Sequence, residues 1–238
     1  MSKDQTRRNF VGVAGITAAT VATTALLRPA SAQTAAAVPK MEYAIKKLPF
    51  DPAKIKGISE KLLVSHYENN YSGAVKRLNA ITAQLAGLDV AAAPVFVING
   101  LKREELIATN SMIIHELYFD GLGGEGDSKG ALSEQMKKDF GSVERWKAEF
   151  SAVGKALGGG SGWVMLSYSP RDKRLVNTWA ADHTMTLANG RPILALDMYE
   201  HAYQMDYGAR AAAYVDAFMQ IIRWDNAAAL FERYSKET

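Results

Sequence analysis

The chain has 238 residues, 48% of them hydrophobic and 22% charged, with a net charge of +3 and no cysteine. That balance describes an ordinary globular protein with one large core or two small domains, and it excludes a disordered chain or a bundle of membrane spans. The missing thiols exclude disulfides, thiolate metal ligands and iron–sulfur clusters, so any metal must be held by nitrogen and oxygen.

The first 32 residues differ from the rest. Arg7-Arg8 precedes an uncharged run from Phe10 to Leu27, and Ala30-Ser31-Ala32 is a small-residue cleavage pattern. This reads as a twin-arginine (Tat) export signal, so the mature chain is expected in the periplasm with no membrane attachment after cleavage. That route carries folded proteins, which allows a metal to be loaded before export. The signal holds Lys3, Arg7, Arg8 and Arg28 against Asp4, which leaves 24 basic and 24 acidic residues in the remainder. No nucleic-acid partner is indicated, since no basic run with interleaved aromatics remains.

Residues 33–45 lack periodicity and read as a flexible lead-in. From Ser59, a plausible N-cap, apolar residues at Leu62, Leu63, Val75, Leu78, Ile81 and Leu85 predict a helix. A link containing Pro94 and Gly100 precedes a second helix, expected from about Arg103 to Phe119. The two helices make an antiparallel hairpin with His66 on one and His115 on the other. The Gly-rich segment 121–127 marks a domain boundary, which divides the mature chain into a helical hairpin domain (46–127) and a C-terminal α/β domain (128–238).

Helices are then expected over 131–140 and 142–157. Residues 163–168 and 174–179 are rich in β formers and flank a turn at 169–173. Residues 192–196 are more continuously apolar and predict a third strand, central and buried. Two final helices fit 208–223 and 227–234. The fold class is α+β, with a helical hairpin followed by a small three-stranded antiparallel sheet packed by helices.

The chain has four histidines, His66, His115, His183 and His201. Asp197 and His201 stand four apart, so on a helical backbone both would face one side, as two ligands of one metal would. With Leu48-Pro49-Phe50, His66-Tyr67, His115-Glu-Leu-Tyr118-Phe119, Gly160-Ser161-Gly162-Trp163 and Asp197-Met-Tyr-Glu-His-Ala-Tyr203, the mature chain from Leu48 onward resembles an iron/manganese superoxide dismutase.

The resemblance implies one iron or manganese ion per subunit, bound by His66, His115, Asp197 and His201 with a solvent molecule as fifth ligand, and superoxide as substrate. Three imidazoles and a carboxylate suit such an ion. It also implies that His183 hydrogen-bonds the bound solvent, a role that counting from Asp197 leaves open to Asp182. Ser111, the other position used in the family, is too short to reach. Glu200 is implied to meet the partner's metal histidine across a twofold interface, which calls for a homodimer or a higher homo-oligomer.

Several positions depart from the family. The substrate-funnel His and Tyr are replaced by Asn70 and Ala74, and the Tyr that pairs with the funnel His by Gln204. The motif Trp is replaced by Tyr199, and the second Trp after Trp163 by Met165. The altered funnel motivates a second reading, a metal-holding homologue with little dismutase activity. A zinc hydrolase fits poorly, because His115-Glu116 is followed by Phe119 where H-E-x-x-H requires histidine.

Overall fold

A computed structural model describes residues 41–237 of the chain. The export signal and most of the lead-in lie outside these residues. Residues 41–48 have no regular structure, but Tyr43 is pinned: its N–H donates to Asn79 Oδ1 and its carbonyl accepts from Asn79 Nδ2, at 2.8 and 2.9 Å.

The first long helical run starts where Ser59 caps it, its Oγ accepting from the Leu62 N–H. The run is not uniform. Helix α1 (Glu60–Ser65) passes into a π-helical turn (His66–Tyr71) and then into α2 (Ser72–Ala86). A wide turn of this kind inside an α-helix locally shifts the side-chain register, and such turns concentrate at functional positions. Here it begins on His66.

Helix α3 (Val95–Asp120) packs on α2 and completes the hairpin. It starts eight residues before the expected Arg103, with Pro94 as its N-cap and Gly100 inside it. All its buried residues lie at or after Ala108, while Val95 and Phe96 are 81% and 74% exposed. The first turns therefore stand off the core and carry no apolar stripe to reveal them.

Helices α4 (Gly130–Phe140) and α5 (Val143–Ala156) follow, the latter capped by Ser142 Oγ accepting from the Arg145 N–H at 3.0 Å. Strands β1 (Trp163–Ser169), β2 (Arg174–Ala180) and β3 (Arg191–Asp197) form one antiparallel sheet in the order β2-β1-β3. The expectation that the third strand is central is corrected: β1 is central and buried throughout, and β3 is an edge strand. Its apolar run is explained by α3 and α8 (Trp224–Lys236), which pack against it. The helix expected over 208–223 is shorter, α7 (Ala211–Phe218), and a separate single turn, α6 (Gln204–Tyr207), precedes it.

The Gly-rich segment is a clasp. Leu122 bridges Ile222, Gly124 N–H donates to the Ile221 carbonyl at 3.0 Å, and Arg223 N–H donates to the Gly121 carbonyl at 2.7 Å. A Cβ at Gly124 would sit 2.2 Å from the Ile222 oxygen, so only glycine permits this approach. One hydrophobic cluster runs from Leu62 through Tyr118 and Leu196 to Phe231. Among the described residues no helix is long and apolar enough to cross a membrane.

Candidate metal centre

Four side chains from four different elements converge. His66 opens the π turn, His115 lies in the last turns of α3, Asp197 ends β3, and His201 sits in a 3-10 turn (Glu200–Ala202). Asp197 and His201 are therefore not on a common helix. A strand end and a tight turn bring them together instead.

One ligand atom from each of the four lies within 4.8 Å of every other. The focus is Asp197 Oδ2, with Nε2 of His66, His201 and His115 at 3.1, 3.3 and 3.6 Å. His66, His115 and Asp197 are almost wholly buried, and the His201 side chain is 27% exposed. Three imidazoles cannot all donate to one oxygen. Both ring nitrogens of His66 and Nε2 of His115 are in fact buried with no hydrogen-bond partner. Buried orphan nitrogens are costly unless something is coordinated between them, so the donor set fits a cation.

The surroundings fix the protonation states such a cation needs. His115 Nδ1–H donates to the Ser111 carbonyl at 2.6 Å, which leaves Nε2 as the free lone pair. Burial, followed by the neighbouring His66, lowers the His115 pKa to about 3, and burial lowers His66 despite the opposing pull of Asp197. Burial alone would raise the Asp197 carboxyl. The charge and hydrogen bond of His201, with His66 alongside, outweigh it and hold the group well below the usual carboxylate range. Asp197 Oδ1 also accepts from the Tyr199 N–H at 2.8 Å.

A pH prediction follows for the metal-free protein. His115 and His66 are harder to protonate folded than unfolded, so their contribution is complete above the unfolded value near 6.5. It is lost as pH falls below that, for His115 down to about 3. The lowered Asp197 carboxyl adds a further loss as pH drops through the acid range. Thermal melts of the metal-free chain should give a level Tm between pH 7 and 8 that declines steadily from about 6.5. A level Tm down to pH 4.5 would contradict the buried neutral histidines.

Around the cage, Trp163 opens β1 with its ring edge-on to His115 at 5.1 Å. Its Nε1 is buried and unpartnered. His183 lies outside the four-atom cluster but stacks on His115 at 6.1 Å and meets the Tyr199 hydroxyl at 3.1 Å through Nδ1. Asp182 faces elsewhere: its Oδ1 accepts from the Thr184 N–H and hydroxyl at 2.7 and 2.6 Å. Of the two candidates it is thus His183 that packs against the cage. Asn70, Ala74, Ser111 and His183 line a cleft of about 370 Å³. Glu200 and Gln204 are exposed beside the cage rather than part of it.

Two contributors carry no site role in the sequence analysis, the Tyr118-Phe119 pair and the Ser111 carbonyl. Tyr118 and Phe119 wall off His66, with ring centroids at 5.2 and 5.1 Å. Their aromatic pair directly after His115-Glu-Leu was the available signal. The Ser111 carbonyl that orients His115 has no signal at all, since every residue has one.

Comparison with known proteins bears on the same residues. A family model described as iron/manganese superoxide dismutases, C-terminal domain, matches residues 128–230. "Superoxide dismutase [Fe]" of Cupriavidus metallidurans is 71% identical over 191 residues, covering 80% of this chain and 97% of the relative. The chain belongs to the iron/manganese superoxide dismutase family. Within that family it is also similar to "Superoxide dismutase [Mn] 2" of Haloferax volcanii, 34% identical over 81% of this chain and 97% of the relative. "Superoxide dismutase [Fe]" of Aquifex pyrophilus is 33% identical over 78% and 89%. Superoxide dismutases named for either metal are thus among its relatives, and the α+β architecture with one small antiparallel sheet is that of the family.

Proposed function

We propose that this chain is a superoxide dismutase, converting two superoxide ions and two protons to dioxygen and hydrogen peroxide at one iron or manganese ion held by His66, His115, Asp197 and His201. The observation that carries the reading is the convergence of three imidazole Nε2 atoms, two of them buried and unpartnered, on a single buried carboxylate oxygen. When bound, iron or manganese supplies a one-electron couple between trivalent and divalent states, which taking an electron from one superoxide and giving one to the next requires.

The protein's part is to keep the imidazoles neutral beside the Asp197 carboxylate and the site dry and reachable by a small anion. Burial keeps His66 and His115 unprotonated and therefore available as donors. Trp163, Tyr118 and Phe119 pack about the histidines and exclude bulk water. The cleft past Asn70 and Ala74 leads inward toward His183, and Arg77 on its wall is paired with Glu104. His183 Nε2, buried and unpartnered, is placed to hydrogen-bond a molecule held beside the cage.

Glu200 is exposed, its carboxylate making no hydrogen bond or ion pair among the described residues, directly before the part-exposed His201. A twofold dimer would let each Glu200 meet the partner's metal histidine, and sedimentation equilibrium on the mature chain tests it. Arg7-Arg8 and Ala30-Ser31-Ala32 support export to the periplasm, and cell fractionation is the check.

The deciding experiment is superoxide decay by pulse radiolysis on the exported, mature protein, with iron and manganese measured in the same sample. Decay scaling with one metal supports the reading and names the ion. A filled site with decay no faster than the spontaneous reaction would instead make the chain a metal-holding relative.

A further inference from the structure

The His183 ring has two polar atoms, and protein contacts account for one. Nδ1 meets the Tyr199 hydroxyl at 3.1 Å, and Nε2 is buried with no partner. The backbone is fixed as well, since Asn110 Nδ2 donates to the His183 carbonyl at 2.6 Å. A neutral imidazole carries one N–H and one bare nitrogen, and the contact made by one decides the state of the other. The chemistry that Nε2 can offer is therefore set by Tyr199.

Tyr199 is itself tied to the metal cage. Its ring stacks on His201 at 5.3 Å with 14° between planes and on His183 at 5.0 Å with 21°, and its N–H holds Asp197 Oδ1. Its hydroxyl has no other hydrogen-bond partner among the described residues, so Nδ1 is the one described acceptor within reach of its single proton. Among the described residues no other hydroxyl meets the His183 ring. Ala74, on the wall of the same cleft, has none, and Ser111 Oγ lies 3.3 Å from His115 Nδ1.

We propose that Tyr199 is a positioning residue that donates its hydroxyl proton to His183 Nδ1 and so makes Nε2–H a hydrogen-bond donor toward whatever occupies the metal cage. The inference rests on the dismutase reading of that cage. It assigns to the pair His183 and Tyr199 a donor that neither supplies alone. Tryptophan, which the resemblance places at position 199, could stack in the same way, but its only polar group is an indole N–H that cannot reproduce this oxygen-centred contact.

The test compares the wild type, Tyr199→Phe, His183→Gln and the double variant, all as full mature chains. Phenylalanine keeps the stacked ring and removes only the hydroxyl. In zinc-loaded protein labelled with 15N in histidine, the wild-type His183 signals, assigned by their loss in His183→Gln, should show a protonated Nε2 and a bare Nδ1. Tyr199→Phe should shift them toward a mixture of tautomers while binding the same amount of zinc. In iron- or manganese-loaded protein, Tyr199→Phe should displace the reduction potential and lower turnover several-fold. Neither effect should appear in the His183→Gln background, because the tyrosine acts only through the histidine.

A wild-type ring protonated on Nδ1, or identical spectra with and without the hydroxyl, overturns the proposal, as does an equal loss in both backgrounds. A locked Nε2–H tautomer in a protein that proves unable to dismute superoxide would uphold the positioning role while overturning the dismutase reading.

Discussion

His115→Ala is expected to reduce bound iron plus manganese from about one ion per chain to near zero and to remove the stabilisation that metal confers. His115 is one of four donors, and its Nε2 is committed by geometry: Nδ1 is taken by the Ser111 carbonyl, and the ring is packed between Trp163 and His66. Alanine leaves a hole beside Asp197 Oδ2 where the Nε2 donor was. Anything bound to the folded state alone stabilises it in proportion to its occupancy, so the metal-dependent rise in Tm should vanish with the metal. Elemental analysis and paired melts with and without added metal measure both effects. Full metal content in the variant would refute the four-ligand cage.

Gly162→Ala should cost about 3 kcal/mol or more, from backbone strain and overpacking of about 1–3 kcal/mol each. For a chain of this size that is a Tm drop on the order of 10 °C. Gly162 has φ +137, and a Cβ there would lie 2.1 Å from the Ala180 carbonyl oxygen. Its own carbonyl accepts from the Met198 N–H at 2.9 Å, one residue after Asp197. Trp163 pairs with Asp197 on one side and Ala180 on the other. Moving Gly162 therefore moves the strand ends that carry a ligand and the cage wall, and metal content should fall along with stability. A variant that melts within 2 °C of wild type with full metal would show that the corner yields freely.

Much of the fold was legible because burial imposes a period on the sequence. The helical face from Leu62 to Leu85 packs against the core and its apolar residues mark that side, while the strands at 163 and 174 were marked by their β formers and the turn between them. Where packing leaves no such mark the reading failed. The first turns of α3 stand off the core, so Pro94 and Gly100 read as a link. Strand β3 reads as central because α3 and α8 pack against it and bury its side chains as thoroughly as those of a central strand. The π turn at His66 has no compositional sign, since its hydrogen bonds involve only the main chain. The four-residue cage was legible through histidine scarcity and the quoted motifs. How His183 is held was not, because the tyrosine that holds it is sixteen residues away in the chain.

The hydrogen bond from His115 to the carbonyl four residues earlier has an evolutionary consequence. An orienting contact made by a side chain is exposed to every mutation at that position, whereas one made by the main chain survives them all while the helix stands. Position 111 can drift among residue types without loosening His115, which frees it to take or surrender the solvent-facing role proposed for His183. Lineages could thus pass that role between the two halves of the chain while the metal cage stays intact.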